Sequence, residues 1–201
     1  MRVSRVQAEE NRQMVINVAS RLFRQRGFDG IGLKDLMEGA GLTQGAFYKQ
    51  FASKDDLAAQ ASRRALESAS RRWSAAAAAN PKDPLGAVIA FYLSMGHREE
   101  RMDGCPVVAL GSDAARQGVD VKASFEAGIR EYLKMLGRWI GEPDGEDSGN
   151  RAMAILSTMV GALVLSRAVN NKRLSKRFLQ AAAKDVLARS SAGDARQGPI
   201  Q

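Results

Sequence analysis

Apolar residues recur at steps of three and four along most of the 201-residue chain, and no segment sustains a strict alternation of apolar and polar positions. Steps of three and four place side chains on one face of an α-helix, whereas strict alternation is typical of strands. The pattern therefore predicts an all-α fold of about nine helices. Breaks such as Asn80-Pro81, Asp83-Pro84 and Asp103-Gly104 separate them.

The predicted helices have recognisable starts, stripes and ends. The first carries a buried stripe made of Met14, Val15, Val18, Ala19, Leu22 and Phe23. Ser53 is placed to cap the fourth helix, with Asp55 and Asp56 in its first turn, where the helix dipole favours carboxylates. Residues 141–149 form a predicted surface loop, and residues 190–201 are predicted to be disordered. The predicted helices span roughly 8–26, 33–38, 43–50, 54–79, 84–102, 106–118, 121–140, 150–170 and 175–189.

The segment LTQGAFYKQFASK, residues 42–54 and called the recognition segment below, has the pattern of the second helix of a helix-turn-helix. Leu42, Phe47 and Phe51 share one face, so the side chains between them point outward. Its predicted DNA-binding residues are Thr43, Gln44, Gly45, Tyr48, Lys49 and Lys54.

Each outward residue has a chemical reason to face DNA. Gln44 has the donor and acceptor that adenine requires for a bidentate contact. Tyr48 and Lys49 suit phosphates, which fix the register of a protein on DNA without reading its sequence. Gly45 keeps the surface small, and Lys54 begins the next helix, where backbone N–H groups also favour an anion. The alternative from periodicity alone is a helical hairpin with a solvated polar face.

Composition and charge narrow the class of protein. Apolar residues make up 45% and charged residues 26%, which is ordinary for a globular protein. The pattern predicts neither a signal peptide nor a membrane span, and a cytoplasmic location follows as an expectation. One cysteine and one histidine predict no metal site, no cofactor and no enzyme, because no nucleophile–base pair is visible. The net charge of +8 suits a polyanionic partner.

The basic excess is concentrated near the C-terminus. Residues 1–60 carry a net charge of +2, whereas residues 167–189 carry seven Lys or Arg and one Asp, a net of +6. A solvated helix face is one explanation of that excess.

The pattern also predicts effector and sensor residues in the central part of the chain. Cys105 precedes Pro106 at a predicted helix start, where the dipole favours a thiolate. A small buried residue in a helix-entry turn is the alternative. An apolar pocket is predicted around an aromatic and methionine group, for which a filled core is the alternative. The predicted effector and sensor residues are Cys105, His97, Phe91, Tyr92, Met95 and Trp139.

Residues 12–57 resemble the N-terminal domain of the TetR family of transcriptional regulators. The matching residues are Ala19, Leu22-Phe23, Gly27-Phe28, Leu36, Ala40-Gly41, Gly45, Phe47-Tyr48, Phe51, Ser53-Lys54 and Leu57. Ile31 and Gly32 depart from the family's usual Ser or Thr, so a side-chain phosphate contact is not expected at position 32. The segment RMDGCPVVAL is also similar to regulators of this family that sense electrophiles or oxidants through a cysteine.

The resemblance implies a DNA-binding domain at residues 1–52 and an effector-binding and dimerisation domain at residues 53–201. It implies a homodimer that binds a double-stranded DNA operator, represses transcription and is released by a small-molecule or thiol-reactive effector. The alternative is a helical small-molecule-binding protein without DNA activity. The last two helices carry apolar stripes wide enough for a dimer contact, and the alternative is that both are buried within one subunit. The predicted interface residues are Leu156, Met159, Val160, Leu163, Val164 and Phe178.

Overall fold

The computed structural model describes residues 4–140 and 146–194, and the described residues form helices without strands. The all-α prediction is therefore confirmed, with nine α-helices and one 3₁₀ helix in the described ranges. The elements are α1 (Arg5–Arg26), α2 (Leu33–Gly39), the 3₁₀ helix (Gln44–Lys49), α3 (Lys54–Ala79), α4 (Pro84–Tyr92), α5 (Met95–Glu99), α6 (Pro106–Ala114), α7 (Val119–Ile140), α8 (Glu146–Ala168) and α9 (Lys172–Asp194).

The chain divides into two compact units. The first comprises Met1–Ala69 and Glu100–Ile129, and the second comprises Ser70–Glu99 and Arg130–Gln201. The predicted division between residues 52 and 53 concerns function, and it stays a prediction.

Helix α1 begins earlier and faces a slightly different way than its pattern predicts. Ser4 caps it by accepting a hydrogen bond from the Gln7 N–H at 3.1 Å, so the helix starts at Arg5. Met14 is 47% exposed, so the prediction that it belongs to the buried stripe is wrong. Ile16 is buried instead, because the buried face is centred between Val15 and Ile16, about half a turn from Met14.

Helix α1 ends at Arg26, as predicted. Gly27 has φ 78°, a conformation that favours glycine, and its N–H donates to the Phe23 carbonyl at 2.8 Å. Phe28 follows and packs on Phe23, with 5.2 Å between ring centroids. This contact closes the apolar side of the helix end.

The single helix predicted over residues 84–102 is wrong, because the chain breaks between α4 and α5. The Leu93 N–H still donates to Ile89, but Ser94 starts a new helix by accepting from the His97 N–H at 3.0 Å. The His97 ring Nδ1 lies 2.7 Å from the Tyr92 carbonyl oxygen. Side chains thus satisfy the backbone groups at the break, a role that apolar periodicity does not reveal.

Helices α8 and α9 pack along each other in the second unit. The Ser175 hydroxyl of α9 donates to the Ser166 carbonyl of α8 at 2.7 Å. Residues 146–149 are helical rather than loop, and α9 continues to Asp194, so disorder from residue 190 was wrong. The rest of the predicted loop, 141–145, and the final residues 195–201 lie outside the described residues.

Candidate nucleic-acid interface

A tight glycine turn separates α2 from the 3₁₀ helix. Gly41 has φ 69°, and its N–H donates to Glu38 at 2.9 Å. The Leu42 N–H reaches back to the Met37 carbonyl, also at 2.9 Å. These two bonds form a Schellman motif, which ends α2 and redirects the chain into the recognition segment.

The recognition segment forms a 3₁₀ helix, Gln44–Lys49, where the pattern predicted the third α-helix. Its ends are closed by bonds between residues three apart, Ala46 N–H to Thr43 and Gln50 N–H to Phe47. Six residues are a long run for a 3₁₀ helix, and Gly45 favours it by weakening the preference for an α-helix. The helix-turn-helix arrangement is retained.

Two phenylalanines support the recognition segment from behind. Phe47 is fully buried, and Phe51 is buried beside it, with stacked rings 5.4 Å apart. The Tyr48 ring meets Phe47 edge-on at 5.3 Å, yet Tyr48 is 68% exposed. Tyr48 is therefore held at its base while its hydroxyl faces solvent.

The predicted DNA-binding side chains lie on the exposed side of this segment. Thr43, Gln44, Gly45, Tyr48 and Lys49 are exposed, and Lys54 is half-buried. Thr43 occupies the N-cap position, but its side chain makes no capping hydrogen bond.

Gly45 faces open space. A Cβ built at Gly45 meets no atom within 4 Å, so the protein itself does not require glycine here. The same holds at Gly32, the N-cap of α2, which has no side-chain cap.

The N-terminus of α3 is locked by a reciprocal capping pair. The Ser53 hydroxyl accepts from the Asp56 N–H at 3.0 Å, and the Asp56 carboxylate accepts from the Ala52 N–H at 3.1 Å. This geometry confirms Ser53 as the cap and places Lys54 in the first turn. The Gly41 turn precedes the recognition segment and the Ser53 cap lies at its other end, so both ends of the segment are fixed.

A buried arginine that sequence reasoning missed ties α1 to the loop before α6. Arg24 donates to the Gly104 carbonyl at 3.0 Å and lies 3.8 Å from the Asp103 carboxylate. Exposed Arg21, one turn earlier, pairs with the same carboxylate at 3.0 Å. Arg24 and Gly104 are 80 residues apart in sequence, so no local signal predicts this contact.

The predicted effector residues of the second unit form part of an aromatic cluster. Phe91 and Tyr92 both pack on the His97 ring, at centroid distances of 5.3 and 4.8 Å. Trp73, which the prediction missed, stacks on Tyr132 at 4.7 Å and meets Tyr92 edge-on at 5.5 Å.

The other two predicted pocket residues are placed less centrally. Trp139 lies 6.5 Å from Trp73, and Met95 is half-buried. The rings of the cluster lie against one another at centroid distances of 4.7 to 6.5 Å.

Cys105 belongs to the first unit and is 3% exposed. It is the N-cap residue of α6, with Pro106 in the first turn, as predicted. Its carbonyl accepts from the Ala109 N–H at 3.1 Å. The residue adjoins Gly104, so it lies at the attachment point of Arg24.

The predicted dimer residues differ in accessibility within one chain. Leu156, Met159 and Leu163 are buried, whereas Val164 is 42% exposed and Val160 is half-buried. Phe178 of α9 is also half-buried. Further exposed apolar side chains on these helices are Met153, Leu165, Leu174 and Leu187.

Neither a metal site nor a membrane span is established in the described residues. No group of three or more His, Cys, Asp or Glu side chains in the described ranges is arranged to hold a metal ion. The segment Gly149–Ala168 of α8 is long and apolar enough to cross a membrane by length and composition alone, a test that core helices also meet.

Comparisons with known proteins agree with this geometry. Residues 15–61 match the family model for bacterial regulatory proteins, tetR family. The chain is 41% identical over 56 residues to the HTH-type transcriptional regulator AcrR of Shigella flexneri, covering 28% of this chain and 26% of that protein. It is 23% identical over 130 residues to the HTH-type transcriptional repressor NemR of Escherichia coli K12, covering 63% of this chain and 65% of that protein.

The chain therefore spans less than two thirds of either curated relative. The crystal structure of reduced E. coli NemR has the same fold, with a TM-score of 0.74 at 22% identity, covering 88% of this chain and 96% of that one.

The fold and the exposed recognition segment define an all-α protein of the helix-turn-helix class. Because residues 15–61 match the family model, this part of the chain is a helix-turn-helix region of the TetR type.

Proposed function

We propose that this chain is a transcriptional repressor that binds an operator through residues 1–52 and is released by an effector bound to residues 53–201. The observation that carries the proposal is the exposed row Gln44, Gly45, Tyr48 and Lys49 on a segment braced by buried phenylalanines. A rigid, narrow surface with a bidentate side chain, a phenolic hydroxyl and a cation suits a major groove and its phosphates.

The repressor acts as a homodimer in the cytoplasm. Two copies of the recognition segment read two half-sites about one DNA turn apart, roughly 34–36 Å. The exposed apolar residues Val164 and Leu165 of α8, with Phe178 of α9, supply the dimer contact. Packing α8 and α9 against their copies would cover apolar surface that one chain leaves in water.

Effector binding shifts the population between two arrangements of the paired DNA-binding domains, only one of which fits the operator. Helix α3 extends from the recognition segment into the proposed effector domain and is the lever. The loop at Asp103 and Gly104 supplies a second connection, because Arg24 attaches it to α1.

A gel shift on the promoter region next to the protein's own gene tests the proposal. Gln44→Ala should weaken operator binding by about 1–3 kcal/mol per half-site and relax the sequence preference. Lys49→Ala should weaken binding to all sequences and reduce the salt dependence by about one phosphate contact per chain. A helical binding protein without DNA activity would give no specific shift. Unchanged affinity in both variants would show that the recognition segment is not the reading surface.

Thiol modification tests the class of effector. Cys105 is buried at the N-terminus of α6, so an adduct there would force the helix start and the adjoining Gly104 to move. N-ethylmaleimide should lower operator affinity of the wild type and leave Cys105→Ser unaffected. Equal operator affinity of treated and untreated wild type would rule out the thiol route and favour a non-covalent effector.

A further inference from the structure

Helix α9 presents five exposed cations on one side. Lys172, Arg173, Lys176, Arg177 and Lys184 are all exposed, and together they are called the α9 basic face. At 100° per residue they fall within an arc of about 140° and extend over about 18 Å of helix. The first turn of α9 contains no acidic residue.

The basic face is separate from both apolar sides of the helix. The residues of α9 buried in the subunit, Ser175, Leu179, Ala182 and Val186, fall in a different arc of about 60°. Leu174 and Phe178, which suit a dimer contact, lie between the two arcs. Packing within the subunit and across the proposed dimer contact would therefore leave the basic face open to solvent.

The cations have no partners in the part of the chain that the structure describes. None of the five makes a hydrogen bond or an ion pair there. By contrast, Arg189, on another side of the same helix, pairs with Asp185 at 3.0 Å. A solvated face on a stable protein ordinarily mixes both signs of charge, whereas this face carries only one.

Their position also opposes helix stability. Lys172 and Arg173 lie in the first turn, where the helix dipole disfavours cations. Lys172 with Lys176, and Arg173 with Arg177, are like-charged pairs four residues apart, which repel each other. A helix built only for packing would avoid this arrangement, so the charges indicate an anionic partner.

We infer that the α9 basic face is a second DNA-binding surface, which contacts phosphates of duplex DNA without reading sequence. A row of cations along a straight helix complements the closely spaced charges of a duplex. An anionic membrane is less suitable, because an interfacial helix inserts the apolar side chains of its other face, and on α9 those side chains are buried in the subunit or suit the proposed dimer contact. Between residues 172 and 184 the arc contains only Gln180 and Ala183 besides the cations. The inference rests on the proposed function in one respect: a protein that binds an operator is in contact with duplex DNA.

The test measures binding of the full-length chain to a random-sequence duplex without the operator, over a series of salt concentrations. The test variant replaces Lys172, Arg173, Lys176 and Arg177 with Gln, which preserves helix propensity. Its slope of log affinity against log salt should be shallower by about 3 to 4 per bound chain, since each lost phosphate contact removes about 0.9. The melting temperature should not fall, because the change removes repulsion.

A matched control distinguishes the effect of losing the α9 basic face from the effect of losing net positive charge. Arg63→Gln, Lys82→Gln, Lys122→Gln and Lys134→Gln together remove the same four charges from exposed positions elsewhere. The control should retain the wild-type slope. Equal slopes in the wild type and the test variant, or equal losses in test and control, would overturn the inference. Loss of binding to phosphatidylcholine vesicles with one quarter phosphatidylglycerol, at an unchanged DNA slope, would overturn it in favour of a membrane.

The outcome is independent of the operator test. The test variant should keep the ratio of operator to random-sequence affinity, which Gln44→Ala should lower. If no operator is found and the slope still falls in the test variant, the second surface stands and the proposed function fails.

Discussion

The recognition segment has few cations on a firmly supported backbone, whereas the α9 basic face has many cations without such support. The recognition segment has two lysines, Lys49 and Lys54, and its backbone is fixed by the Gly41 turn, buried Phe47 and the Ser53 cap. The basic face has five cations and no bracing of its own side chains. Even the first turns of the helices differ, because Lys54 of α3 is followed by Asp55 and Asp56, whereas α9 starts with Lys172 and Arg173 and has no acidic residue in its first turn.

This difference shows that the requirements for reading a DNA sequence differ from those for attraction to any DNA. Sequence readout needs donors and acceptors held in a fixed position, which requires a buried support more than a high charge. Attraction to any duplex needs only cations in a row. A chain that puts these two properties in different elements can be altered in one without loss of the other.

The largest effect is expected from removing the brace. Phe47→Ala should lower the free energy of unfolding by about 3–5 kcal/mol, because a fully buried ring leaves a cavity beside Phe51. Tyr48→Ala is the control, since an exposed neighbour should change the stability by less than about 1 kcal/mol. Urea unfolding of both variants gives the comparison. Equal losses would mean that Phe47 is not a special support.

A smaller effect is expected at the buried anchor of α1. Arg24→Met should cost about 1–3 kcal/mol in urea unfolding, because the Gly104 carbonyl loses its donor inside the protein. Arg21→Met removes an exposed pair to Asp103 and should cost less than about 1 kcal/mol. If the two variants are equally stable, the buried bond does not hold the loop to α1.

The smallest effect concerns the start of α9. Lys172→Glu should stabilise the protein by about 0.3–1 kcal/mol, because a carboxylate replaces a cation at the positive end of the helix. Lys184→Glu, in the middle of the same helix, should lack this dipole gain. Thermal melts at low and high salt measure both, and the difference should shrink as salt rises. Destabilisation by Lys172→Glu would show that the cation serves the fold.

Local chemistry in the sequence predicted much of the fold. Ser53, Gly27 and Asp83 end or begin helices as their residue types indicate, with Asp83 accepting from the Gly86 N–H at 2.8 Å. The outward side of the recognition segment also followed from spacing, because Phe47 and Phe51 mark its buried side.

What the sequence did not predict depends on distant partners or on competing local bonds. The break at Ser94 arises because Ser94 and His97 satisfy backbone groups that a continuous helix would satisfy itself. The 3₁₀ winding at Gln44 and the exposure of Met14 depend on how neighbouring elements pack. Arg24 was not predicted to be buried, because its partner Gly104 is 80 residues away in the sequence.

Gly45 offers the most direct test of the central claim that the recognition segment enters DNA. Because a Cβ there meets nothing within 4 Å, Gly45→Leu should melt at nearly the wild-type temperature. Its affinity for the operator, measured by fluorescence anisotropy, should fall by roughly 30-fold or more, since an overpacked contact costs about 1–3 kcal/mol at each of two half-sites. A variant that keeps both its melting temperature and its operator affinity would contradict the account.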